Sequence, residues 1–245
     1  MDGPGNAGRA HGTATLAAAS LGSPCAASQH VSPTGQWRSW WSMRNERVRL
    51  IVEIALCVAL AAVLNLPGLQ IRLPINIAGG TVSLNMLPIF VLALRRGLGP
   101  GLVAGAIYGF VDLLIEPFVV HPVQLLLDYP IAYGLVGLAG LGAVAWHQRV
   151  AGGRLVDGAR VALPFLLLGG AGRFAAHWLS GMIFFGANAP EGQPVWLYSL
   201  VYNASYLIPS VVLAALATLA VLPALERAVP SAPGPNLRHG KTGTA

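Results

Sequence analysis

Apolar residues fall along this chain in long runs broken by short polar gaps, not in the strict alternation of a half-buried strand. The hydrocarbon core of a bilayer is about 30 Å thick and a helix rises about 1.5 Å per residue, so a spanning helix takes roughly 20 mostly apolar residues. Six segments approach that length: Val48–Leu66, Val82–Leu94, Leu98–Ile115, Val123–Trp146, Val161–Phe185 and Val195–Leu222. The second is short, so it either begins earlier, within Ile75–Thr81, or spans only part of the bilayer. The pattern predicts an all-α integral membrane protein with six transmembrane helices, occupying 43–225. Residues 1–42 are rich in Gly, Ala, Ser, Pro and Thr and show no sustained period, which predicts a disordered N-terminal extension. Residues 226–245 read as a disordered cytoplasmic tail. Ala14–Ala27 lacks the basic flank and continuous apolar core of a secretory signal.

Composition agrees with this reading. Of 245 residues, 55% are hydrophobic and only 10% charged, against about 25% charged in soluble domains. Two cysteines, Cys25 and Cys57, exclude a disulfide framework and a cysteine-ligated metal cluster. The net charge of +6 is explained by its location. Arg9, Arg38, Arg44, Arg47 and Arg49 precede the first segment, and Arg95 and Arg96 join the second to the third. Arg149, Arg154 and Arg160 join the fourth to the fifth, while Arg227, Arg238 and Lys241 follow the sixth. The alternate connections carry only Arg72, with Glu116 and Glu191. By the positive-inside rule both termini are cytoplasmic, in a multi-pass protein of the cell membrane, and the charge is a topogenic signal, not a nucleic-acid surface.

No phosphate loop, H-E-x-x-H, G-x-S-x-G or dinucleotide fingerprint is present, so the chain is read as a non-enzyme without cofactor or metal. Polar residues inside the apolar segments are costly in lipid and mark a site or a pathway. Asp128 and Tyr129 in the fourth segment, His177 in the fifth, and Tyr198 with Asn203 in the sixth lie at similar depth in the outer half. Together they predict a pocket for a small polar or cationic aromatic molecule. Packing and interfacial roles are the competing readings for His177, Tyr129 and Tyr198. Tyr198 and Asn203 are five residues apart, about 140° around an ideal helix, so both reach one ligand only if the segment is irregular or the ligand bridges its end. Gly169, Arg173, His177 and Gly181 follow at four-residue steps, with Arg173 near mid-membrane. A charge there predicts a buried acidic partner, Asp112 or Asp128. Gly97, Gly101, Gly105 and Gly109 form overlapping G-x-x-x-G motifs suited to close packing within the bundle.

Taken in order, several of these stretches resemble a known family, the thiamine-specific substrate-binding (S) components of energy-coupling-factor (ECF) transporters, of the ThiT or YuaJ type. The carriers are Glu53-Ile54-Ala55-Leu56 with Ala59, Leu94-Arg95-Arg96-Gly97, Asp128-Tyr129-Pro130, Arg173 to His177, Gly181 to Gly186, and Leu197 to Leu200 with Asn203. The resemblance runs from about Arg47 to Leu222. It implies an S-component bundle that captures thiamine from outside, with its first outer loop as a lid. Such a protein has no ATPase; it docks through Ala55 and Ala59 onto a transmembrane coupling subunit that carries two ABC-type ATPases. It further implies that Asp128 and Tyr129 recognise the aminopyrimidine, that His177 and Phe185 flank the thiazolium, and that Tyr198 and Asn203 add polar contacts. The family usually has Glu at the position of Asp128 and Trp at that of Phe185, and a tryptophan of its first outer loop has no match near Gly79–Val82. A thiamine precursor or analogue therefore remains open as ligand. Two other functions remain open as well: a self-sufficient, ion-coupled thiamine carrier using Asp128, His177 or Arg173, and an intramembrane enzyme.

Overall fold

A computed structural model describes residues 33–72, 80–151 and 153–229. The chain divides into two units, Met1–Ser42 and Met43–Ala245, and the second holds the helical bundle. The expected disordered tail at 230–245, residues 1–32 of the expected extension, and 73–79 of the expected lid loop lie outside the described residues. Eight α-helices make up about three quarters of the described residues: α1 (Pro33–Leu64), α2 (Met86–Arg96), α3 (Leu98–Ile115), α4 (Pro122–Leu126), α5 (Ala132–Val136), α6 (Ala143–Ala151), α7 (Leu155–Phe184) and α8 (Val195–Ala228). A two-residue ribbon, β1 (Ile71–Arg72) antiparallel to β2 (Thr81–Val82), precedes α2.

The third segment matches α3 residue for residue, whereas the others shift. The second is displaced: Thr81–Val82 pair as strand, and the helix runs from Met86 to Arg96. Pro88 sits in the first turn of α2, where its missing N–H is not needed, and Gly97, at φ +90°, ends the helix. Eleven residues rise about 16 Å, short of a bilayer. Four described stretches are long and apolar enough to cross a membrane: Leu98–Ile115, Pro122–Val150, Val156–Phe184 and Val195–Ala228. The helix around the first segment extends back to Pro33, into the region expected to be disordered. At the other end α8 continues to Ala228, with Glu226 buried beside Arg95, so the expected tail boundary falls inside a helix.

α3 packs face to face with the broken run from Leu127 to Gly142. A Cβ on Gly105 would overlap the Tyr133 carbonyl, one on Gly109 the Tyr129 backbone, and one on Gly137 the Gly101 backbone. Backbones in such contact gain dispersion along their whole length, the strongest available attraction where lipid removes the hydrophobic drive. The core around this seam is Ile89, Phe90, Leu94, Tyr108, Tyr133, Trp146 and Leu166, with Leu222 of α8.

Candidate functional site

Pro130 has no N–H to give and its ring crowds the preceding turn, and at this point the helix widens into a π turn, Leu127–Ile131. Asp128 and Tyr129 sit in that turn. α7 supplies Arg173, His177 and Gly181 at four-residue steps on one face, then Phe185 at its end. α8, entered through Pro194, supplies Tyr198, Tyr202, Asn203 and Tyr206. A Cβ on Gly181 would strike the Ser199 hydroxyl, so glycine is what lets α8 close against α7 here.

These elements enclose a cavity of about 480 Å³, within the usual range of about 300–1,000 Å³ for small-molecule sites. Asp128, Tyr129, His177, Phe185, Tyr198 and Asn203 all line it. So do Gln124, Phe118, Tyr202 and Tyr206, which sequence reasoning does not single out.

Their chemistry differs. Asp128 places Oδ1 3.2 Å from His177 Nδ1 and accepts from Gln124 Nε2 at 2.7 Å on Oδ2. Arg173 Nε–H points at His177 Nε2 from 3.5 Å. Nε2 thus faces a donor while Nδ1 faces the Asp128 carboxylate at ion-pair distance. Both side chains remain 14% exposed to the cavity. Tyr129, by contrast, has its hydroxyl fully used: it accepts from Phe118 N–H and donates to the Glu116 carbonyl, each at 2.9 Å. Asn203 is similarly engaged, donating to the carbonyls of Ser199 and His177 while accepting from Tyr206. Tyr129 and Asn203 therefore build the wall, and offer a ligand ring surface or bulk rather than a free polar atom.

Aromatic rings form two sides. Phe118 stacks on Phe185 with centroids 5.8 Å apart. Tyr198, Tyr202 and Tyr206 form a ladder at four-residue steps along α8, with neighbouring centroids 6.1 and 5.8 Å apart. The spacing of that ladder is visible in the sequence. Phe118 is not, because it enters from the irregular loop between α3 and α4, where no period places it. On α8, Tyr198 and Asn203 both reach the cavity although they are five residues apart, because the lining face of the helix is broad.

Arg173 does not make the expected contact with a carboxylate. Its guanidinium donates to Tyr133 Oη at 2.8 Å and to Asn85 Oδ1 at 3.3 Å, and lies 4.0 Å from the Tyr133 ring centre. Asp112 instead accepts from Asn65 at 2.6 Å and from Tyr108 at 3.1 Å. Asn85 donates to both Asn65 and Tyr133, so Arg173 and Asp112 share one buried network without a direct ion pair. Neutral amides and phenols disperse the two charges, which the sequence could not reveal since Asn65, Asn85 and Tyr133 come from three separate segments. Among the described residues no cluster of three His, Cys, Asp or Glu is arranged to hold a metal. On α1, Ala55 and Ala59 are exposed, beside the exposed Leu56 and Leu60.

Comparison with known proteins gives a consistent picture. Residues 51–229 match the family described as "Thiamine transporter protein (Thia_YuaJ)". The thiamine transporter ThiT of Bacillus subtilis (strain 168) is 40% identical over 174 residues, 69% of this chain and 87% of the relative. ThiT of Lacticaseibacillus paracasei is 34% identical over 176 residues, 69% of this chain and 85% of its own length. A solved structure of ThiT from Listeria monocytogenes superposes with a TM-score of 0.65 at 24% identity, covering 76% of this chain and 97% of the other. That last likeness bears on the fold alone.

Proposed function

The chain belongs to the thiamine transporter protein family (Thia_YuaJ), a family of transporters and not of enzymes, and from that membership we propose that it captures thiamine from outside the cell as the substrate-binding subunit of an ECF-type importer. The observation that carries the reading is the Asp128–His177 pair set beside stacked aromatic rings in one cavity of ligand size. Thiamine joins a cationic thiazolium to an aminopyrimidine. A desolvated cation over aromatic faces gains about 2 kcal/mol, which assigns the thiazolium to Phe185 and the rings near it. The exocyclic amine donates to the Asp128 carboxylate in a charge-assisted bond. His177 orients that carboxylate, Tyr198 contributes a hydroxyl, and Tyr129 and Asn203 shape the wall.

The rest of the reading follows from the chain's charge distribution and helix surfaces. Six membrane passages, α2 with its ribbon forming the short second one, place both termini in the cytoplasm, where nearly all the arginines then lie. The domain of 43–225 is flanked by the extension 1–42 and the tail. Ala55 and Ala59, small and exposed on α1, form the face that docks on a transmembrane coupling subunit bearing two ABC-type ATPases. Thiamine is transported, not retained as a cofactor.

The test is calorimetric titration of detergent-solubilised protein with thiamine, with its pyrimidine and thiazole halves as competitors. Saturable binding at nanomolar concentration supports capture, and no binding by folded protein sinks the ligand assignment. Uptake of radiolabelled thiamine is then measured in cells with and without the coupling subunit and ATPases. Uptake without them would replace the S-component reading by that of a self-sufficient carrier.

A further inference from the structure

Gln124 lies on α4 one turn before Asp128 and is 1% exposed. Its oxygen and its amide nitrogen are both engaged, in one orientation. Oε1 accepts from Val120 N–H at 3.1 Å, while Nε2 donates to the Phe118 carbonyl at 3.0 Å and to Asp128 Oδ2 at 2.7 Å. Turning the amide over would set its oxygen against two acceptors and its donors against an N–H, so the surroundings fix which end faces the acid. An apolar side chain of the same size could fill the space; it could not donate. The same amide also pins the loop between α3 and α4, whose Phe118 ring stacks on Phe185. One buried side chain thereby connects the cavity's carboxylate to its aromatic wall.

We infer that Gln124 is a positioning residue for ligand capture, holding Asp128 Oδ2 so that the carboxylate is presented at a fixed angle to the ligand. The inference rests on the reading of Asp128 as the ligand-facing acid of a thiamine site.

The experiment is a double-mutant cycle on thiamine affinity, with Gln124→Met made in the native protein and on the Asp128→Asn background. Thermal unfolding of each ligand-free protein is followed alongside. In the native background Gln124→Met weakens thiamine binding about tenfold, the usual loss for a hydrogen bond to a charged group. On the Asp128→Asn background its effect shrinks to within about twofold, because the group it orients has lost its charge. The pyrimidine half loses affinity and the thiazole half much less. Equal losses on both backgrounds overturn the inference, since a purely structural defect adds to Asp128→Asn. Unchanged thiamine binding in Gln124→Met overturns it too. Native protein that fails to bind thiamine overturns the ligand assignment itself, a result reached before any Gln124 variant is made. Should Gln124→Met not fold, Gln124→Glu carries the same cycle. It keeps the length and the acceptor for Val120 but turns an oxygen toward Asp128. Its loss is then larger in the native background than beside the Asp128→Asn amide, which can donate to it; equal losses again overturn the inference.

Discussion

Arg95 and Arg173 are equally buried, each 7% exposed, yet they belong to regions with opposite logic. Arg95 closes the end of the bundle away from the cavity. It pairs with buried Glu226 at 3.3 Å and donates to the Val229 carbonyl at 2.8 Å, and His147 meets its own carbonyl at 3.1 Å. Nearby, Arg96 grips Glu53 through two contacts of 2.5 Å, joining α1 to the turn before α3. At this end positive charge meets negative charge directly. Arg173 opens onto the cavity, has neutral partners, and shares a network with Asp112 that stops short of an ion pair. A buried charge is thus no site marker by itself. What separates the regions is whether the group's partners leave a face open to a ligand.

The sharpest break in that contrast is Glu226→Ala. Removing one partner of a buried ion pair costs about 3–5 kcal/mol, so thermal unfolding of the purified variant shifts down steeply, while thiamine affinity per folded molecule is unchanged. An altered affinity would mean that the two ends communicate. Asp128→Asn is the reverse case, weakening thiamine binding more than about tenfold through loss of a charge-assisted bond, with little change in unfolding temperature. Equal affinity in titration calorimetry would remove Asp128 from the site. Arg173→Gln lies between the two. It leaves Asp112 without the cation of its network and so lowers the unfolding temperature, less than Glu226→Ala because no direct ion pair is broken, and the loss of its N–H toward His177 weakens binding about fivefold, the order of one ordinary hydrogen bond; unchanged affinity in the folded variant would make Arg173 structural, like Arg95. The smallest effect is a gain: Phe185→Trp offers a stronger cation-binding face and tightens thiamine binding about threefold. Weaker binding would show that Trp does not fit against Phe118.

The two regions also differ in how much the sequence disclosed. Asp128, His177 and Tyr198 could be named in advance because polar groups stand out chemically inside apolar runs, Phe185 follows only from the family resemblance, and the cavity gathers all four. Tyr129 and Asn203 were equally visible, but their hydroxyl and amide are spent on the wall, a matter of which atoms lie nearby and not of residue type. Gln124 and Phe118 carry no such signal: one sits in the first turn of a five-residue helix and the other in a loop, where no period assigns a facing side.

Long apolar helices, the placement of basic residues between them, and the titratable groups lying among apolar ones are all properties of the linear chain. They follow from composition and spacing, which water and lipid read residue by residue. Folding in three dimensions adds what no spacing encodes: Arg173 and Asp112 meet through Asn65, Asn85 and Tyr133, the π turn at Pro130 aims Asp128 at His177, and one amide orients the acid. Each of these depends on atoms brought within about 3 Å of one another, several of them from segments far apart in the chain, and hydrogen bonding is lost over an error of about one ångström that hydrophobic patterning does not register.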